Sequence, residues 1–157
     1  QYLGPATVAD LHGWHDGLRR DAPAPVGALD DDLDPLTVEG DPRLALTETL
    51  QLLESASAPE PDTIHLLPPD DVYINRLHRP LLVPDPGFQK RLWPQAPPPG
   101  ALIIGGEVVG TWRRRSGLIE IDLWRDITKR HRKRTEAIAA ALPLPTEGRG
   151  VVVRWLE

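Results

Sequence analysis

Apolar and polar positions alternate most regularly in "ALIIGGEVVGTWRRRSGLIEIDLW", residues 101–124. Ile119, Ile121 and Leu123 fall on one side of an extended segment, and Glu120 and Asp122 fall on the other. That period of two predicts a strand buried on one face. Gly105-Gly106 and Ser116-Gly117 break the run as turns, so three strands joined by two hairpins are expected. Upstream, "TIHLL" reads as a short strand and "DPGFQKRLW" as a short helix. "PPDDVYINRLHRPLLVPD" reads as irregular with an apolar run at Leu81–Val83, and "PQAPPPG" as a proline-rich loop. Downstream, a helix is expected over about 126–142 with Asp126 as its N-cap, and "GRGVVVRWLE" as a final strand. An antiparallel, partly closed β-barrel-like domain with a C-terminal helix accounts for this order.

The first third of the chain has a different rhythm. Val8, Leu11 and Trp14 recur at helical spacing, and "HDGL" turns the chain. A second helix is expected near Pro25, with Val26 and Leu29 facing inward. "LDPLTVEG" and "RLALTET" then read as two strands joined at "EGDPR". Helix-turn-helix followed by a β-ribbon is the pattern of a winged-helix module. "ESASAPEPD" reads as a linker. The fold class expected is therefore α+β, with a winged-helix module at 1–53, a linker at 54–62 and the barrel-like domain at 63–157.

Charge is distributed unevenly along the chain. The 157-residue chain is acidic, with net charge −5. Residues 1–63 hold 13 acids and 3 bases, whereas 64–157 hold 15 bases and 10 acids. The expected second helix of the first module carries Asp30, Asp31 and Asp32 and no Arg or Lys after Arg20. Phosphates repel such a helix, which favours an architectural or protein-contact role over reading a DNA groove. In contrast, residues 108–134 gather nine Arg and Lys against Glu120, Asp122 and Asp126. Arg113, Arg114 and Arg115 fall at a hairpin tip. Lys129, Arg130, Arg132, Lys133 and Arg134 fall in the first turns of the last helix. Cations there oppose the helix dipole, so helix stability does not explain them. A solvated face and a polyanion-binding surface are the two readings, and DNA is the polyanion expected. The two clusters are expected to meet one duplex from opposite ends of strand 118–123.

Other chemistry is sparse. The chain has no Cys, which removes disulfides and thiolates. His12, His15 and Asp16 do not complete a metal site. Asp30, Asp32 and Asp34 mimic a calcium loop, but Pro35 stands where Gly is needed and Asp41 where Glu is needed. No metal and no cofactor is expected. A polar cluster of Asp70, Asp71, Tyr73, Asn75, Arg76 and Arg79 is a candidate site loop. No apolar run approaches ~18 residues, so no membrane contact is expected. A cytoplasmic, nucleoid-associated location is expected. With no Met, the chain is expected to be part of a longer protein, and its Arg excess over Lys (15 to 3) suggests a GC-rich bacterial genome.

Two stretches carry a resemblance to a known group. "LLPPDDVY" (66–73) and "VVGTWR" (108–113), together with Gly4–Thr7 and Trp14–Gly17, resemble the bacterial winged-helix DNA-binding proteins that include the AlkZ-like DNA glycosylases. The resemblance covers nearly the whole chain. It implies winged-helix modules before a C-terminal β-barrel, and a hairpin approaching the DNA minor groove, with Arg113–Arg115 as the residues suited to that contact. It departs at Asp70-Asp71, where the family usually has Phe-Asp. Family glycosylases act through a Gln-x-Gln or Gln-x-Asp motif. Gln1, Gln51, Gln89 and Gln95 do not fit it, so no catalytic residue is carried over. The function expected is the DNA-clamping C-terminal portion of such a protein, non-catalytic by itself, with the N-terminal modules of the same protein as further partners. The alternative is a regulatory or structural protein-interaction module with no enzymatic parent. An independent enzyme using the Asp70–Arg79 loop is a third reading.

Overall fold

A computed structural model describes residues 5–10, 30–74, 79–95, 97–115, 117–143 and 150–156. The chain forms two compact units, 1–57 and 58–157. Among the described residues no helix is long and apolar enough to cross a membrane.

In the first unit, Val8–Asp10 is helical. Thr7 and Asp10 cap it reciprocally: Thr7 N donates to Asp10 Oδ2 (2.8 Å), and Asp10 N donates to Thr7 Oγ1 (3.0 Å). Arg43 Nη1 binds the same carboxylate at 3.1 Å. Ala6 pairs with Leu44, which ties the helix start to a ribbon of β1 (Leu33–Val38) and β2 (Asp41–Leu46). The turn is Glu39-Gly40 alone, both at positive φ, a two-residue hairpin tighter than the "EGDPR" expected. The second strand also stops sooner than expected. Thr47 opens α1 (Thr47–Ser55), because "TETLQLLES" is rich in Leu, Glu and Gln, which favour helix. The helices expected from Leu11 to Leu29, with Trp14, Gly17, Pro25 and Val26, lie outside the described residues.

The second unit is built on one five-stranded sheet: β3 (Ile64–Leu67), β4 (Gly100–Ile104), β5 (Glu107–Arg115), β6 (Leu118–Leu123) and β7 (Val152–Leu156), hydrogen-bonded in that order. The first three pairings are antiparallel, as the two hairpins require, and β6–β7 is parallel. The expected antiparallel, partly closed barrel is therefore corrected to an open mixed sheet, with β3 and β7 as its edges among the described residues. The reason is α4 (Lys129–Ala141), which lies between β6 and β7 in the chain. A helix of this length returns the chain to the side where β6 began, so the next strand must run parallel to β6. Helix α4 starts at Lys129 with Thr128 as its N-cap, whose hydroxyl accepts from His131 N at 3.1 Å. Asp126, the expected cap, stands before it.

Strand alternation gives the sheet two covered faces. On one, Leu66, Leu102, Val109, Trp112, Ile119 and Ile121 pack under Ala139 of α4. On the other, Ala101, Ile103 and Val108 pack under Ile74, Val83, Leu92 and Trp93. These come from the segment between β3 and β4, which folds as a short turn Val72–Ile74, α2 (Arg79–Leu82) and α3 (Pro86–Leu92). The apolar run at Leu81–Val83, expected as irregular, thus lies partly in a one-turn helix. Asp85 caps α3 by accepting from Gly87 N at 2.6 Å, and Pro86 fits the first turn.

Candidate nucleic-acid interface

The three consecutive arginines end β5 at its hairpin with β6. They do not share a face, since strand side chains alternate. Arg114 lies on the side of Trp112 and Ile119, the side α4 covers, while Arg113 and Arg115 lie on the opposite side. Arg113 stands directly across from Glu120 on β6, and Glu120 stands directly across from Arg154 on β7. The Glu120 side chain is only 15% exposed; it forms an ion pair with Arg115 Nε at 2.9 Å and accepts a hydrogen bond from Arg154 Nη1 at 3.3 Å. The two guanidinium-bearing side chains above it are 74% and 60% exposed. Two arginines thus bind one sunken carboxylate, and a third stands across from it in the register of β5.

The second basic cluster sits elsewhere. Helix α4 buries Thr135 and Ala139 and packs against β3 and β7. Its first turn is tied to Asp62, just before β3: His131 Nε2 lies 2.9 Å from Asp62 Oδ1, and Arg130 Nη2 lies 2.9 Å from Asp62 Oδ2. The hydrogen bond from His131, with the charges of Arg130, His131 and Arg134, holds the Asp62 carboxyl below its ordinary 3.8, against a smaller desolvation that raises it. Arg132 lies over the Trp155 ring at 4.9 Å, and Trp155 Nε1 donates to Glu136 Oε1 at 2.9 Å. Lys129, Lys133 and Arg134 are exposed. Because Ile64 pairs with Ile104 beside the Gly105-Gly106 turn, Asp62 marks the end of the sheet away from Arg115. The two basic clusters lie at opposite ends of β5, a strand of nine residues that spans roughly 25–30 Å.

The candidate loop is partly described. Asp71 Oδ1 accepts from Tyr73 N at 2.9 Å and so closes the turn before Ile74. Tyr73 is half exposed and, with His65, Leu67 and Ile103, lines an open groove of about 280 Å³. The Arg79 guanidinium sits 5.1 Å from the Trp93 ring centre. Trp93 Nε1 donates to the Ile74 carbonyl at 2.9 Å. Asn75 and Arg76 lie outside the described residues. No group of three or more His, Cys, Asp or Glu able to hold a metal occurs among the described residues.

Sequence reasoning missed Arg154 and the role of Glu120. The alternation in "VVVRWLE" places Arg154 on one face of a strand, but only the β6–β7 pairing shows which arginines it joins.

Hairpins and a helix crossover build this mixed α+β fold around one sheet, and it has a counterpart among solved proteins. The family description "DNA glycosylase AlkZ-like" matches residues 1–143. The chain belongs to the AlkZ-like DNA glycosylase family. Among solved structures, Streptomyces sahachiroi DNA glycosylase AlkZ superposes with a TM-score of 0.73 at 19% identity, over 99% of this chain and 43% of that one. At that identity the likeness is one of fold, and the chain spans less than half of that protein's length. No curated protein matches the sequence.

Proposed function

We propose that this chain is a DNA-clamping part of a DNA-repair protein, holding duplex DNA through the β5–β6 hairpin and the first turns of α4. The observation that carries the reading is the exposed basic end of the hairpin, in a half of the chain with net charge +5 inside an acidic whole. Phosphate neutralisation is the dominant, sequence-independent term in such binding. Arg113–Arg115 suit a narrow minor groove, whose negative potential attracts arginine. Lys129, Lys133 and Arg134 would reach phosphates further along the duplex. A glycosylase must turn its target base out of the stack, and gripping the backbone at separated points supports that step. The first unit fits a winged-helix module: a capped helix start, a bridge to the ribbon and a two-residue wing turn support the reading. Its acidic composition suits packing against other protein modules more than phosphate contact.

The test is salt-dependent binding of duplex DNA. With ~3–5 phosphate contacts, log K falls against log salt with a slope of about −3 to −4.5. Arg113→Ala, Arg114→Ala and Arg115→Ala combined are expected to weaken binding on all sequences, most on A·T-rich duplexes, and to flatten the slope by about one per lost contact. An unchanged affinity and slope would leave these arginines as a solvated face.

A further inference from the structure

The hairpin arginines have a partner that the chain supplies from its last strand. The geometry points to a phosphate-binding cradle formed by Arg113, Arg115 and Arg154 around Glu120, with Arg154 as a DNA-contacting residue that extends the clamp from the hairpin onto β7. This inference rests on the DNA-clamping reading and adds to it a residue and a site.

Arg113, Glu120 and Arg154 stand in one row across β5, β6 and β7, and neighbouring strands are about 4.7–4.9 Å apart, so the row is about 10 Å wide. Arg113, Arg115 and Arg154 against the one carboxylate of Glu120 leave two positive charges unbalanced. Glu120 is sunken, whereas Arg115 and Arg154 rise into solvent. The carboxylate takes Nε of Arg115 and Nη1 of Arg154. Each guanidinium keeps further N–H donors for an anion above, since arginine carries five in a fixed fork. Fixing the forks in this way lowers the entropic cost of binding. A carboxylate ligand and a phosphate share this geometry. The breadth of the row and the adjoining hairpin favour a polymer of phosphates, successive on one strand.

Two measurements on the full chain test this. The first is binding of a short fluorescent duplex at several KCl concentrations. Arg154→Gln is expected to weaken binding on the order of tenfold at low salt and to flatten the salt slope by about one. The combined Arg113→Ala and Arg115→Ala variant is the reference for the underlying reading. If that variant weakens binding and Arg154→Gln does not, the cradle is wrong and the hairpin clamp stands. If neither weakens binding, both fall. The second measurement needs no variant. Phenylglyoxal modifies exposed arginines of the unaltered protein, and mass spectrometry reads each site. Duplex DNA is expected to protect Arg113, Arg115 and Arg154. Equal modification of Arg154 with and without DNA overturns the proposal.

Discussion

Gly100 is fixed by its neighbours rather than by its backbone angles. A Cβ there would run into the Leu67 carbonyl and the Trp112 ring, which stands across from it in the sheet. Trp112 Nε1 in turn donates to that same carbonyl at 2.8 Å, so one indole fills the space a side chain at 100 would need and ties β5 to β3 across β4. Neither neighbour is the flexible end of a side chain. Gly100→Ala is therefore expected to lower stability by about 3 kcal/mol, the upper end of overpacking costs. A urea titration checks this: a stability loss, read as the midpoint shift times m, of less than about a quarter of that size counts against the packing argument. Trp112 was legible as part of a family-like motif, "VVGTWR", but its bond to Leu67 was not, because 45 residues separate the two.

Helix α4 shows how an element can carry charge against its own dipole. Cations in its first turn are unfavourable to the helix, and Asp62 compensates by binding Arg130 and His131 from outside it. The Asp62 carboxyl titrates lower in the folded chain than its ordinary 3.8. Its contribution is then present above the ordinary 3.8 and is lost as the pH falls through the lowered folded value. Unfolding stability of the unaltered chain is expected to drop more steeply in that acid range than that of Asp62→Asn, which has no carboxyl to protonate. Hydrogen exchange at the α4 N-terminus is expected to speed up in Asp62→Asn at neutral pH. Parallel acid profiles for the two proteins would show that this latch does not couple to folding.

For the molecule as a whole, the separation of charge is the property that bears on function. Asp31 and Asp32 are exposed, next to the start of the ribbon. If the first unit does not touch DNA, Asp31→Asn with Asp32→Asn leaves duplex affinity equal or tighter, because a repulsive charge is removed. A large loss with the fold intact would mean that these side chains make specific contacts. The lack of a Gln-x-Gln or Gln-x-Asp motif leads to a further expectation: this chain alone releases no base from alkylated DNA. Enzyme-dependent abasic sites in that assay would overturn the clamp-only reading.

The strands β3 to β6, the two hairpin turns, the capped α3 and the clustering of arginine could be read from the sequence. Each rests on local physics: alternation of apolar residues, turn chemistry, a proline and an aspartate at a helix start, and the sign of charge. The resemblance at 66–73 and 108–113 pointed to the family that the match over residues 1–143 shows. Tertiary structure alone decided the parallel pairing of β7, the open sheet in place of a barrel, and the meeting of Arg113, Glu120 and Arg154. These depend on which side of the sheet α4 crosses and on the register it leaves β7 in. Both are long-range arrangements, and neither leaves a periodic trace along the chain.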